Sequence, residues 1–413
     1  MNLNHDKNSF FFFTLFPGAV TALGNGFKTL RIMRMKYMII CLAGLLTVSC
    51  SGKGSSSAGI ESHGVNVDSL SMITPVHAQG FNVSYQGDVT LLDINDPENR
   101  EAERFHFALV DKEYKGEIPE GYIRLNVPVE TAICMTSLQL SNFLKLDIPE
   151  KVVGITSTRH LHNEKMNQQL KEGKTHKIGI EGNFDNEVIM AINPDVIFIS
   201  PFKRGGYDAI RNIDIPMIPH LGYKELTPLG QAEWIKVVGL LTGNAALANS
   251  TFKGIESRYN GLKAMVDTVK CRPTVFSGEM RGGHWYAVGG KSFLAQLFRD
   301  AGGDYFLKDH EESGGVTLDY ETVYTNAAHA DYWRIVNSFD GDYSYDVLKE
   351  QDNRYTDFDA WKNHGVIYCN MKEVPFYERM PVEPELVLSD FIHVFHPNIL
   401  PDHKPEYYHL LKK

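Results

Sequence analysis

Two short stretches of this chain set carboxylates in the same place. Asp185-Asn186-Glu187 opens DNEVIMAINPDVIFIS (185–200), and Asp319-Tyr320-Glu321 lies at the head of LDYETVYTNAAHADYWRI (318–335). In each, the aspartate can cap a helix and the glutamate falls two residues later. There a carboxylate either complements the helix dipole or is presented to a cationic partner. Other reactive side chains gather in six polar segments: TSTRHLHN (156–163), SPFKRGGY (200–207), LGYKE (221–225), EMRGGHWYAVGG (279–290), HEESGG (310–315) and NSFDGDYSY (337–345). They mix cations with aromatics, among them Arg159, His160, Arg204, Tyr207, Tyr223, Arg281, His284, Trp285 and Tyr286. Guanidinium groups pair with carboxylate or catecholate oxygen while rings stack on a flat apolar body, so the mixture suits an anionic metal chelate. Taken singly, each of these residues is equally well read as an exposed loop side chain.

Other chemistries are less well marked. His160-x-His162 can present two imidazoles to a zinc ion, with His176 not far along the chain, but a structural site needs four ligands and the rest cannot be named. There is no G-x-S-x-G, no G-x-x-x-x-G-K-[ST] and no H-E-x-x-H, which removes the best-marked enzyme mechanisms. The chain reads as a non-enzyme with no cofactor and no resident metal; a lipid-anchored hydrolase is the rival from another class. A net charge of −10 over 413 residues carries no basic stripe of the kind that nucleic-acid binding needs. Of the five cysteines, Cys134, Cys271 and Cys369 are widely spaced and read as buried, and whether Cys271 and Cys369 pair is open.

The elements that must position these side chains follow from periodicity. Arg31, Arg34 and Lys36 precede an apolar run from Tyr37 to Val48, too short to span a bilayer, and Ser49-Cys50-SGKGSSSAG follows. This resembles a bacterial lipoprotein signal, which implies lipid on Cys50, although Thr47 stands where leucine is usual. Residues 1–32 fit no signal architecture, so Met33 or Met35 is the expected start. The expected organisation is a leader (1–49), a tether (50–60), a β-rich extension packed on the first lobe (61–125), an N-terminal α/β lobe (126–226), linking helices (227–269) and a C-terminal α/β lobe (270–413). Within it, Val196 to Ile199 is apolar throughout, as a strand buried on both faces of a parallel sheet must be. Ala248, Phe252, Ile255, Tyr259, Leu262 and Val266 recur at spacings of 3 and 4, one stripe on a single long helix between the halves.

Two α/β lobes that each hold a D-x-E helix start, joined by one long helix behind a lipoprotein leader, resemble the class III periplasmic substrate-binding proteins of ABC importers for ferric siderophores, haem and cobalamin. The resemblance spans about residues 125–400 and is carried by VVGITS, DNEVIMAINPDVIFIS, TPLGQAEWIKVVGLLTGN, GGKSFLAQLFRDAGGDYFLKD and VTLDYETV. It implies an α/β fold of two Rossmann-like lobes joined by a single long backbone helix. It also implies a monomer with a ligand cleft between the lobes, lined by the loops above and opening only slightly. Glu187 and Glu321 fall where such proteins carry hooks for arginines on the two subunits of an ABC permease dimer. A ferric siderophore is the first expected ligand, with cobalamin or haem next. The expected location is the periplasm, on a lipid anchor; residues 61–125 and 337–362 lie outside the family pattern.

Overall fold

Alternating apolar and polar residues in FNVSYQ and VTLLDI make two strands, and Gly87, at φ +59, supplies the backbone for the two-residue turn between them. These are β1 (Phe81–Gln86) and β2 (Val89–Ile94); with β3 (Phe105–Asp111) and β4 (Ile123–Val127) they form a four-stranded sheet in the order β1-β2-β3-β4. The computed structural model describes residues 72–99, 101–156, 158, 160–180, 183–200, 207, 210 and 213–412. Cys50, the leader and the tether lie outside those residues, as do Arg159 and Arg204.

The next elements are β5 (Ala132–Cys134), α1 (Ser137–Lys145), β6 (Val152–Ile155), α2 (Glu164–Lys171), β7 (His176–Lys177), the small hairpin β8 (Gly179–Ile180) and β9 (Asn183–Phe184), α3 (Asn186–Ile192), β10 (Val196–Ile199) and β11 (Met217–Pro219). Five of these strands form a parallel sheet in the order β11-β10-β5-β6-β7. All four residues of β10 are buried, as its unbroken apolar run requires. Three helices follow: α4 (Pro228–Glu233), begun by a Thr227 cap and proline at its first position, α5 (Ile235–Leu241) and α6 (Ala245–Val266). The 22 residues of α6 bury Ala248, Phe252, Ile255, Tyr259 and Val266, five members of the apolar stripe, against α5 on one side and α12 (Pro384–Phe395) on the other.

The second half contains β12 (Thr274–Ser277), β13 (Glu279–Arg281), β14 (His284–Val288), α7 (Phe293–Asp300), β15 (Asp304–Tyr305), β16 (Gly315–Leu318), α8 (Tyr320–Ala327), β17 (Tyr332–Asn337), α9 (Tyr345–Gln351), α10 (Asp359–Lys362), β18 (Val366–Asn370), α11 (Phe376–Arg379), then α12 and β19 (His409–Leu410). Its main sheet runs β15-β12-β17-β18-β19, parallel except for the last strand. Overlaying β5 on β12 places β10 on β17, β11 on β18 and β6 on β15. The two lobes therefore repeat one topology, and α3 and α8 each deliver the chain to the strand beside the lobe's first strand.

Two expectations change. Residues 279–290, expected as a loop, are largely a hairpin that joins β16 in an antiparallel sheet of order β13-β14-β16, whereas 310–314 are loop as expected. Trp285 and Ala287 alternate inward along β14, and the Trp285 indole is fully buried among Phe276, Trp333, Tyr355 and Phe358. It is a core side chain, not a cleft platform. Gly278, at φ +104, has no room for a Cβ, which would lie 1.9 Å from the Tyr286 carbonyl oxygen. That close approach folds the hairpin back on β12. Cys271 is exposed, whereas Cys134 and Cys369 are buried; all three are free thiols. Burial pushes the Cys134 and Cys369 thiols well up, so they are inert.

The N-terminal extension is held by buried carboxylates. Glu233, fully buried, accepts the backbone N–H groups of Val76, His77 and Ala78 at 2.7–3.0 Å and pairs with Lys236 at 2.6 Å. Glu225 accepts those of Gln79 and Gly80 together with the Trp234 indole N–H. Burial raises the Glu225 carboxyl above its ordinary range, against the pull of these N–H groups. Phe81 meets Trp234 edge-on at 5.2 Å, so the extension seats on the linking helices.

Candidate ligand cleft and docking helices

In an open α/β sheet the crevice forms beyond the carboxyl ends of strands whose connections leave in opposite directions. Here those pairs are β5 with β10 and β12 with β17. In the first lobe the crevice walls begin at Met135, Thr136 and Ser200. Thr136 caps α1 in a reciprocal box with Gln139, whose amide also reaches the Ser200 hydroxyl at 3.3 Å. Behind them His220 and Asn142 meet at 3.2 Å in the core. Complete burial pulls the His220 imidazole down to about 3, so it stays neutral and serves as a fixed polar strut.

From the second lobe the crevice receives Glu279 and Arg281 on β13 and Asn337 and Ser338 at the end of β17. The Tyr368 hydroxyl donates to Asn337 Oδ1 at 2.9 Å, and its ring stacks on Tyr343 at 4.3 Å. Burial raises both phenols, helped by the charge of Glu279 at Tyr343 and of Glu373 at Tyr368, so neither is a ready tyrosinate ligand. The two lobes meet here. His160 Nε2 lies 3.4 Å from Ser338 Oγ and its ring 5.9 Å from that of Tyr377. Glu378, on α11, accepts the backbone N–H groups of His162 and Asn163, and Lys145 on α1 pairs with Glu383 at 2.8 Å.

The sequence-marked residues separate accordingly. His160 stands at the junction of the lobes. Arg281, His284 and Tyr286 share the β13–β14 hairpin, where Arg281 donates from both Nε and Nη2 to the single oxygen Oε1 of Glu279. Tyr223 is half-buried in a short 3₁₀ turn. Tyr207 is a correction: its ring stacks on Phe184 at 5.7 Å inside the first lobe and its hydroxyl accepts the Ser200 N–H, so it supports the crevice wall from behind. Among the described residues no three His, Cys, Asp or Glu side chains converge as metal ligands. Glu279, Ser338 and Glu378 were not singled out individually from the sequence. Glu279 and Ser338 fall inside segments that were, but Glu378 has no local signal.

The two aspartate-capped helices are alike in detail. Asp185 caps α3 by accepting the Val188 N–H at 3.0 Å, and Asp319 caps α8 by accepting that of Thr322 at 2.6 Å. Glu187 and Glu321 are each the second helical residue, and each is exposed. Both helices run back along their sheets, so both carboxylates sit at the carboxyl-end rim of a lobe.

A family model described as periplasmic binding protein matches residues 133–372. The chain belongs to this family. As a periplasmic binding protein it is a non-enzymatic component of transport, working outside the cytoplasm with an ABC permease and a small-molecule substrate. A lipoprotein of Methanocaldococcus jannaschii, itself uncharacterised, is 25% identical over 308 residues, which is 71% of this chain and 72% of the relative. Among solved structures, an ABC-type Fe3+-hydroxamate transport protein of Saccharomonospora viridis shares 17% identity over 65% of this chain and 94% of its own, with a TM-score of 0.52. The molybdate-binding MolA of Haemophilus influenzae shares 14% over 67% and 89%, with a TM-score of 0.53. At these identities the likeness is one of fold.

Proposed function

We propose that this protein captures an anionic ferric chelate, a siderophore, between its lobes and hands it to an ABC permease; cobalamin or haem is the second reading. The observation that carries the proposal is the make-up of the crevice rim. His160 stands against Ser338 and Tyr377, and Arg281, His284 and Tyr286 project from one hairpin. A cationic fork beside aromatic faces is what an iron chelate with anionic oxygens and flat organic arms requires, and Arg281 would exchange Glu279 for the ligand. The iron-hydroxamate protein among the fold relatives agrees with that choice. In this reading Glu187 and Glu321 each meet an arginine on one permease subunit, and Cys50 carries the lipid.

A native mass spectrum of the protein isolated from its own host should show a bound iron chelate. Titration with ferric siderophores then tests the cations. Among Arg159→Ala, Arg204→Ala and Arg281→Ala, at least one variant should lose about ten- to a hundredfold in affinity, the scale of a hydrogen bond to a charged group. Three unchanged titrations would turn the assignment to a neutral ligand such as cobalamin. The anchor has its own test. Cys50→Ser should move the protein from the membrane to the soluble fraction, because no described helix is long and apolar enough to cross a bilayer. Continued membrane association of Cys50→Ser would remove the lipid from the proposal.

A further inference from the structure

Glu378 is 1% exposed on α11 of the second lobe, yet its carboxylate spends its hydrogen bonds on the first lobe. It accepts the His162 N–H at 2.8 Å and the Asn163 N–H at 3.1 Å, the two residues that lead into α2. Asn163 is itself the α2 cap, its side chain accepting the Met166 N–H at 3.0 Å. Two residues earlier His160 touches Ser338 and Tyr377, so His160, His162 and Asn163 are each tied to the second lobe.

Among the described residues, the charges around Glu378 leave it without a counterion. Lys145 from α1 and Arg379 from α11 both turn to Glu383, at 2.8 and 2.9 Å, and Tyr407 completes that carboxylate. On the other side stand His160, His162 and, at the first position of α2, Glu164. A cavity of about 340 Å³, lined by Lys145, His162, Asn163, Glu378, Arg379 and Glu383 among others, adjoins the seam and gives water and protons a way to it.

We propose that Glu378 couples closure of the seam between the lobes to uptake of one proton, so that the closed form is favoured as pH falls. The proposal concerns the seam itself and stands whether or not the ligand is a ferric chelate. Burial pushes the Glu378 carboxyl up to about 7 against the pull of the two N–H groups. Once the seam parts, the carboxyl meets water and returns toward the ordinary glutamate range. The group thus holds its proton more tightly in the closed form. The resulting preference for closure is complete below the ordinary glutamate range and is lost as pH rises through about 7. A protonated carboxyl keeps a carbonyl oxygen to accept the N–H groups, so the stitch survives protonation.

Hydrogen exchange on the purified protein reads this directly. After correction for intrinsic rates, protection of peptides covering 160–171 should be about tenfold greater at pH 6 than at pH 8. Glu378→Gln, a permanent stand-in for the neutral acid, should be protected at both pH values with no step between them. Equal protection of the parent at the two pH values overturns the proposal. So does a pH step that persists in Glu378→Gln, which would assign it to His160 or His162. Should the variant fail to fold, a carbon-13 titration of the parent's Glu378 carboxyl decides: a midpoint near 7 supports the coupling, and one in the ordinary glutamate range ends it.

Discussion

The Glu187→Gln, Glu321→Gln double variant is expected to bind its ligand with the parent's affinity, melt within a few degrees of it, and yet fail to support uptake or to stimulate the permease ATPase. Both side chains are exposed at the second position of their helices, and both helices keep their aspartate caps, so folding loses little. What is lost is charge at two points that the repeated topology places equivalently, one on each lobe. A two-fold permease reads such a pair together, because each charge-assisted contact fixes register as well as adding attraction. Ligand titration and uptake, measured on the same preparation, separate the outcomes. Lost ligand binding would place the glutamates in the cleft, and full uptake would leave them as helix-start residues with no partner.

The largest effect on stability is expected from Glu233→Ala. That change leaves three backbone N–H groups without an acceptor and strands Lys236, which keeps the Thr74 carbonyl oxygen at 3.0 Å and the Phe252 ring, 4.6 Å away. Breaking a buried ion pair from one side typically costs about 3–5 kcal/mol. Glu233→Gln keeps an oxygen for the N–H groups and should lose less. In urea the midpoint should fall without a change in slope, the alanine variant further than the glutamine variant. A loss below about 1 kcal/mol for alanine, the size of one ordinary hydrogen bond, would mean that residues 76–80 are held elsewhere.

Local repetition explains what the sequence disclosed. Val196 to Ile199, the stripe along α6, and the two aspartate-capped helix starts are written in neighbouring residues, and the structure has them as expected. The helix at 186–192 ends as Asn193 turns left-handed ahead of Pro194, a stop that the proline already marked. What stayed hidden depends on residues far apart in the chain. Glu233 binds residues about 155 positions away and Glu378 residues about 215 away, and nothing beside either glutamate announces a buried acceptor. Trp285 misled for a different reason. Glycines on both sides gave its segment a loop's composition, while the strand it occupies is fixed by pairing with residues 315–318.

The grip of Glu225 and Glu233 on five successive N–H groups also has a mechanical side. A pull entering from the N-terminal direction meets this clamp before it reaches β1, and Asn249 and Glu256 of α6 hold the same irregular segment through Met72 and His77. Tension therefore passes into α4 and α6 and bypasses the four-stranded sheet downstream. A force applied ahead of Met72 would thus be borne by the helices between the two parallel sheets, which makes this segment a strain relief for the strands that follow it.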